Sequence, residues 1–179
     1  MHPRTQEILQ YLDTQREVLR AAVESVPVEK REVSPKADCW SVAGVLEHLA
    51  YSETSLTRLF TVRLAEAKAR GLAAETETAP LLPSLGMERV LDRSQKVTAS
   101  PSGQPHAGLD AKAAWEALEA AGAAFREAFL AGDGLALSEL LHPHAALGPL
   151  NFYQWAAFVG AHEARHAAQI REIARSLKG

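Results

Sequence analysis

The sequence predicts an all-α chain built as a four-helix bundle. Three observations predict it: four long stretches with apolar residues at three- and four-residue spacing, no convincing alternating strand, and one long connection punctuated by Pro and Gly. A length of 179 residues with 47% apolar content suits one domain spanning 1–179 with a well-buried core.

The first helix is expected over about 5–25, where Ile8, Leu9, Leu12, Val18, Leu19, Ala22 and Val23 form the apolar stripe. Gln6, Asp13, Arg16 and Glu17 are assigned to its polar face, and Pro27 ends it. Ser41 reads as the N-cap of a second helix reaching about Arg70, with Val42, Val45, Leu46, Leu49, Leu56, Leu59, Phe60 and Leu64 inward. His48 lies in its second turn beside the apolar stripe, so it is placed to point inward. Residues 71–108 break the periodicity, with room for a short helix from Met87 to Lys96. Leu81, Leu82, Leu85 and Val97 favour a loop packed across the bundle over a free linker. The third helix runs from Asp110 to Leu130 through Ala114, Trp115, Leu118, Ala121, Phe125 and Phe129, and Gly132-Asp133-Gly134 stops it. His142-Pro143-His144 reads as a turn. Asn151 caps the last helix, Phe152 to about Leu177.

Lys+Arg and Asp+Glu nearly balance, 19 against 22, and no basic run tracks phosphates, which argues against a nucleic-acid partner. No apolar run reaches transmembrane length and the N-terminus does not look like a signal peptide, so neither a membrane nor export is expected, and a cytoplasmic location is. Cys39, the single cysteine, excludes an internal disulfide and reads as a small, half-buried apolar residue, with a reactive thiol as the other reading.

The chemistry concentrates in Ala161-His162-Glu163-Ala164-Arg165-His166-Ala167-Ala168-Gln169-Ile170. Histidines four apart on a helix share a face, so both imidazoles can reach one divalent ion. A catalytic site needs a third protein ligand and an open position. Of seven histidines, His48 is the best third, being the only other one inside a well-defined helix. Two readings stand side by side: three metal ligands, or hydrogen-bonded histidines at a core boundary. His106, between Pro and Gly, reads as surface, and His142 and His144 are left outside the site. The text also spells H-E-x-x-H, which in zinc proteases makes the Glu a general base. Such enzymes carry a sheet-bearing domain and usually a ligand downstream, whereas no His, Asp or Cys follows His166. Glu163 is therefore expected to be solvated or to sit behind the ligands.

Trp40-Ser41 with Val45-Leu46-Glu47-His48-Leu49, then His142-Pro143, Gly148-Pro149-Leu150-Asn151, Gln154-Trp155 and the His162–Ile170 stretch, resemble the DinB-like (DinB/YfiT) superfamily of metal-dependent enzymes. Val97, Pro101 and Pro105 fall where such proteins carry a proline-marked crossover. The resemblance covers nearly the whole chain. It implies an up-down-down-up bundle whose long crossover joins the second and third helices. It also implies a divalent metal (Zn, Ni or Fe, with Co and Cu also suited to imidazoles) on His48, His162 and His166. Gln169 matches a common family residue, with the role of orienting a histidine or bonding between helices. Relatives include transferases and an isomerase that use a low-molecular-weight thiol, which makes a thiol S-transferase acting on a small electrophilic substrate the leading expectation. Metal-hydroxide hydrolysis needs the same site. Arg93, Lys96 and Arg165 are candidates to receive an anionic substrate, or plain surface charges. The resemblance also implies a homodimer. The alternative is a non-catalytic helical dimer with a structural metal, for which Trp155 and Phe158 would supply contact surface.

Overall fold

The computed structural model describes residues 1–94, 98–99, 101–106 and 108–178. Four long helices dominate: α1 (Pro3–Glu24), α2 (Val42–Ala69), α4 (Ala111–Leu130) and α5 (Phe152–Ser176), with a single-turn α3 (Glu88–Leu91) in the middle connection. Each long helix begins at a side-chain cap. His2 Nδ1 accepts the Arg4 N–H, Ser41 Oγ the Gly44 N–H, and Asp110 Oδ1 the Ala113 N–H. Asn151 and Gln154 bond reciprocally to each other's backbone N–H, at 2.9 and 3.0 Å, as a capping box.

Helix α1 lies along α5 and α2 along α4, with the two pairs meeting more sparsely between α2 and α5. The apolar interior has two parts. Ile8, Leu12, Phe60, Phe125, Phe129 and Phe152 fill one, where Phe60 meets the Phe125 ring edge-on at 5.1 Å between centroids. Leu19, Val23, Val45, Leu46, Leu118 and Ile170 fill the other. Where the two halves meet, every long helix departs from the apolar pattern: Arg16 on α1, Glu53 on α2, Gly122 on α4 and Glu163 on α5. Arg16 bridges both carboxylates, Nη2 lying 2.6 Å from Glu163 Oε1 and 2.9 Å from Glu53 Oε2. A Cβ on Gly122 would come within 2.7 Å of Arg16 Nη2, so the guanidinium occupies space that any other residue there would take.

The connection after α2 packs across the helices. Leu81, Leu85 and Val90 are buried, and the Glu7 carboxylate accepts the Leu81 and Leu82 N–H groups at 2.7 and 3.1 Å. The expected helix from Met87 to Lys96 shrinks to Glu88–Leu91, with Asp92 already extended; Lys96 and Val97 lie outside the described residues.

The all-α expectation fits broadly, with one small sheet added to it. Residues around His142-Pro143-His144 form a strand, β1 (Leu141–His144), paired antiparallel with β2 (Gly148–Asn151). Each strand is four residues long, too short for an alternation to be legible. Pro143 faces Pro149 across the hairpin. An antiparallel ladder contains pairs that exchange no backbone hydrogen bonds, and two residues without an N–H can face each other there. Gly148, at φ +81°, supplies the left-handed conformation that closes the loop. Among the described residues, no helix is long and apolar enough to cross a membrane.

Candidate metal centre

His48 in the second turn of α2 meets His162 and His166 on successive turns of α5. Their Nε2 atoms converge: His48 to His162 at 3.2 Å and His166 to His162 at 3.0 Å. Together the three offer ligand atoms all within 4.8 Å of one another, a group able to hold a metal ion. Three nitrogens bound tetrahedrally to one ion at about 2.0–2.1 Å lie roughly 3.3 Å apart, so the spacing is close to what a single ion requires.

The opposite ring nitrogens explain why these faces converge. His48 Nδ1–H donates to the Gly103 carbonyl at 2.6 Å, and His166 Nδ1–H donates to Gln169 Oε1 at 2.7 Å. Neither acceptor has a proton to give, so in the neutral rings both protons sit on Nδ1 and both Nε2 atoms present lone pairs. Lone pairs aimed at one point repel unless a proton or a cation lies between them. Burial depresses the affinity of all three for protons. It lowers His48 against the opposing pull of the Gly103 bond, lowers His166 to about 3 with help from His48, and holds His162 well below the usual histidine range with help from His166 and His48. Neutral imidazole is the form that coordinates metal.

Aromatic rings wall the site. Trp40 lies 4.9 Å from His48 and stacks at 6.3 Å on His166, while Phe158 stacks on His162 at 5.2 Å. The site opens into a cleft of about 950 Å³ whose lining includes Trp40, Tyr51, His144, Phe158 and Arg165.

The remaining candidates are placed as follows. His106 is exposed, as expected. Cys39 is exposed rather than half-buried, on the cleft wall. Arg93 pairs with Glu172 through two short bonds, and Arg165 donates to the Val90 and Asp92 carbonyls, so both anchor the connection to α5. Trp155 is buried and donates its indole N–H to the His142 carbonyl, whereas Phe158 is half-buried, stacked on His162 at the cleft wall. Glu163 is neither solvated nor behind a histidine. It is buried against Arg16, and a charge at a core position of the helix pattern, four residues after Val159 and four before Ala167, is the signal that marks it. Outside the sequence-level site altogether lay Gly103, whose carbonyl orients His48.

Residues 11–170 match the DinB superfamily. The uncharacterized protein YuaE of Bacillus subtilis is 28% identical over 158 residues, covering 84% of this chain and 86% of that protein. No solved structure matches the chain. The match takes in α2, the connection that follows it and the two α5 histidines, and the chain belongs to the DinB superfamily.

Proposed function

We propose that His48, His162 and His166 hold one divalent metal ion through Nε2 and that the chain is a metal-dependent enzyme transferring a low-molecular-weight thiol to a small electrophile. The observation that carries this is the convergence of three lone-pair nitrogens whose partner nitrogens are committed to Gly103 and Gln169. The donor set fits the group: three neutral imidazoles suit zinc, nickel or iron(II). Among the described residues the cluster has three ligands and no fourth, which supports an open position over a closed structural site.

A bound divalent ion supplies Lewis acidity that lowers the pKa of a coordinating thiol toward neutrality. The chain's own residues do the rest. Gly103 and Gln169 fix the tautomers and ring orientations of His48 and His166. Trp40 and Phe158 exclude water from two sides, and the cleft gives an electrophile room beside the site. We read the four long helices as an up-down-down-up bundle forming one domain over 1–179, with 71–108 as its crossover. A homodimer and a cytoplasmic location are inferred from the family resemblance and the sequence, and light scattering tests the first.

Elemental analysis of untagged protein beside His162→Ala tests the core of the proposal. About one divalent ion per chain, lost in the variant, leads directly to a screen of thiols and electrophiles. No metal after incubation with zinc, nickel and iron(II) salts removes the proposal.

A further inference from the structure

The β1–β2 hairpin holds a fourth histidine at the cleft in a defined protonation geometry. The backbone N–H groups of Ala146 and Leu147 both reach His144 Nδ1, at 3.1 and 3.2 Å. Backbone N–H can only donate, so Nδ1 carries no proton and the neutral ring holds its hydrogen on Nε2. Burial lowers the ring's proton affinity, which keeps it neutral at pH 7. Its tautomer is thus the reverse of the one fixed in His48 and His166.

Packing places this donor near the triad without making it a ligand. The His144 ring rests 5.1 Å from Trp155 and 4.9 Å from Phe158, and Phe158 in turn stacks on His162. His144 lines the cleft into which the triad opens, yet it stands outside the three-histidine cluster. Among the described residues, Nε2 has no hydrogen-bond partner, whereas Nδ1 has two.

The geometry points to His144 as a ligand-positioning residue, donating Nε2–H to an oxygen that lies a few bonds beyond the atom held at His48, His162 and His166. The ligand class is a small thiol or electrophile bearing a carboxylate or carbonyl oxygen. A preorganised neutral donor in a half-buried cleft favours such an oxygen without the desolvation cost of a buried cation. This inference rests on the metal proposal above.

Two measurements test it, and they separate its failure from failure of the metal site. Long-range proton–nitrogen NMR of metal-free protein reads the His144 tautomer directly, and a protonated Nδ1 overturns the inference. Cobalt(II)-loaded protein is then titrated with mercaptoacetate and with ethanethiol, following the thiolate-to-cobalt absorption. His144→Phe keeps the ring packing and loses the donor. It is expected to weaken mercaptoacetate about tenfold, the worth of one hydrogen bond to a charged acceptor, and to leave ethanethiol unchanged. His144→Gln, which retains an N–H, should recover part of the loss and serves if the Phe variant does not fold. Equal mercaptoacetate affinity in wild type and both variants, at one cobalt per chain, overturns the His144 role alone. Absence of cobalt binding in the wild type removes the metal site and this inference with it.

Discussion

Arg16→Met is expected to cost about 3–5 kcal/mol of folding stability at pH 7, the usual consequence of removing one partner from a buried ionic group. The geometry supports the upper part of that range. The Arg16 side chain is 16% exposed and the Glu53 and Glu163 side chains 3% each. Arg16 Nε and Nη2 both donate to Glu163 Oε1, at 2.9 and 2.6 Å, and Nη2 meets both Glu53 oxygens. Glu163 Oε2 is already buried without a hydrogen bond among the described residues, so losing Arg16 leaves that carboxylate bare. Methionine fills much of the volume, which isolates the charge from the cavity. The pH dependence follows from Glu53. Burial raises its carboxyl well above the usual carboxylate range, Arg16 pulls it down, and Glu163 raises it further. A carboxyl raised in the folded state binds protons there that the unfolded chain has released. Its contribution is therefore fully present below the unfolded value and is lost as pH rises through the folded one. Without Arg16 that rise is steeper, so the deficit should grow from pH 5 to pH 8. Urea unfolding followed by circular dichroism across that range measures it. A deficit below about 1 kcal/mol, or one that does not change with pH, would refute the role of Arg16 in holding down the Glu53 carboxyl.

Two further outcomes are expected. Gln169→Leu removes the acceptor that orients His166 and should weaken metal binding by about 10–100-fold while leaving the helical signal intact; competition with a chelator reads the affinity. Asn151→Ala breaks the capping box where β2 runs into α5 and should cost about 0.5–2 kcal/mol in urea unfolding, and an unchanged midpoint would show the cap contributes nothing.

The starts of α2 and α5 are legible because Ser41 and Asn151 each precede an apolar-periodic run, and each caps in the structure; Asp110, read as the first residue of the third helix, caps α4 as well. The two α5 histidines were legible from spacing, and His48 from its place beside the α2 stripe. The hairpin was not, since four-residue strands containing proline resemble a turn in any sequence window. Its charge places Arg16 on the polar face of α1, although it continues the Leu12–Leu19 stripe at helical spacing. Glu53 likewise sits between Leu49 and Leu56. Three ionisable groups, each at a core position of a different helix, find their partners only in one another, and no single helix can reveal that. Gly103 leaves no mark in the sequence because what it supplies is a backbone carbonyl, which no residue type advertises.

The Arg16 cluster and the three histidines lie on the same seam. Arg16 joins the α1–α5 pair, through Glu163, to the α2–α4 pair, through Glu53 and the Leu118 carbonyl. The histidines span the same division, one on α2 and two on α5. A slide of one helix pair past the other by a single residue would shift side chains about 1.5 Å, against a tolerance of roughly 0.2 Å in metal–ligand distance. Leucine and alanine contacts resist such a slide weakly, whereas a guanidinium gripping carboxylates on both sides does not permit it. The ionic layer thus serves as an axial index for the molecule, setting the alignment on which the separation of His48 from His162 and His166 depends.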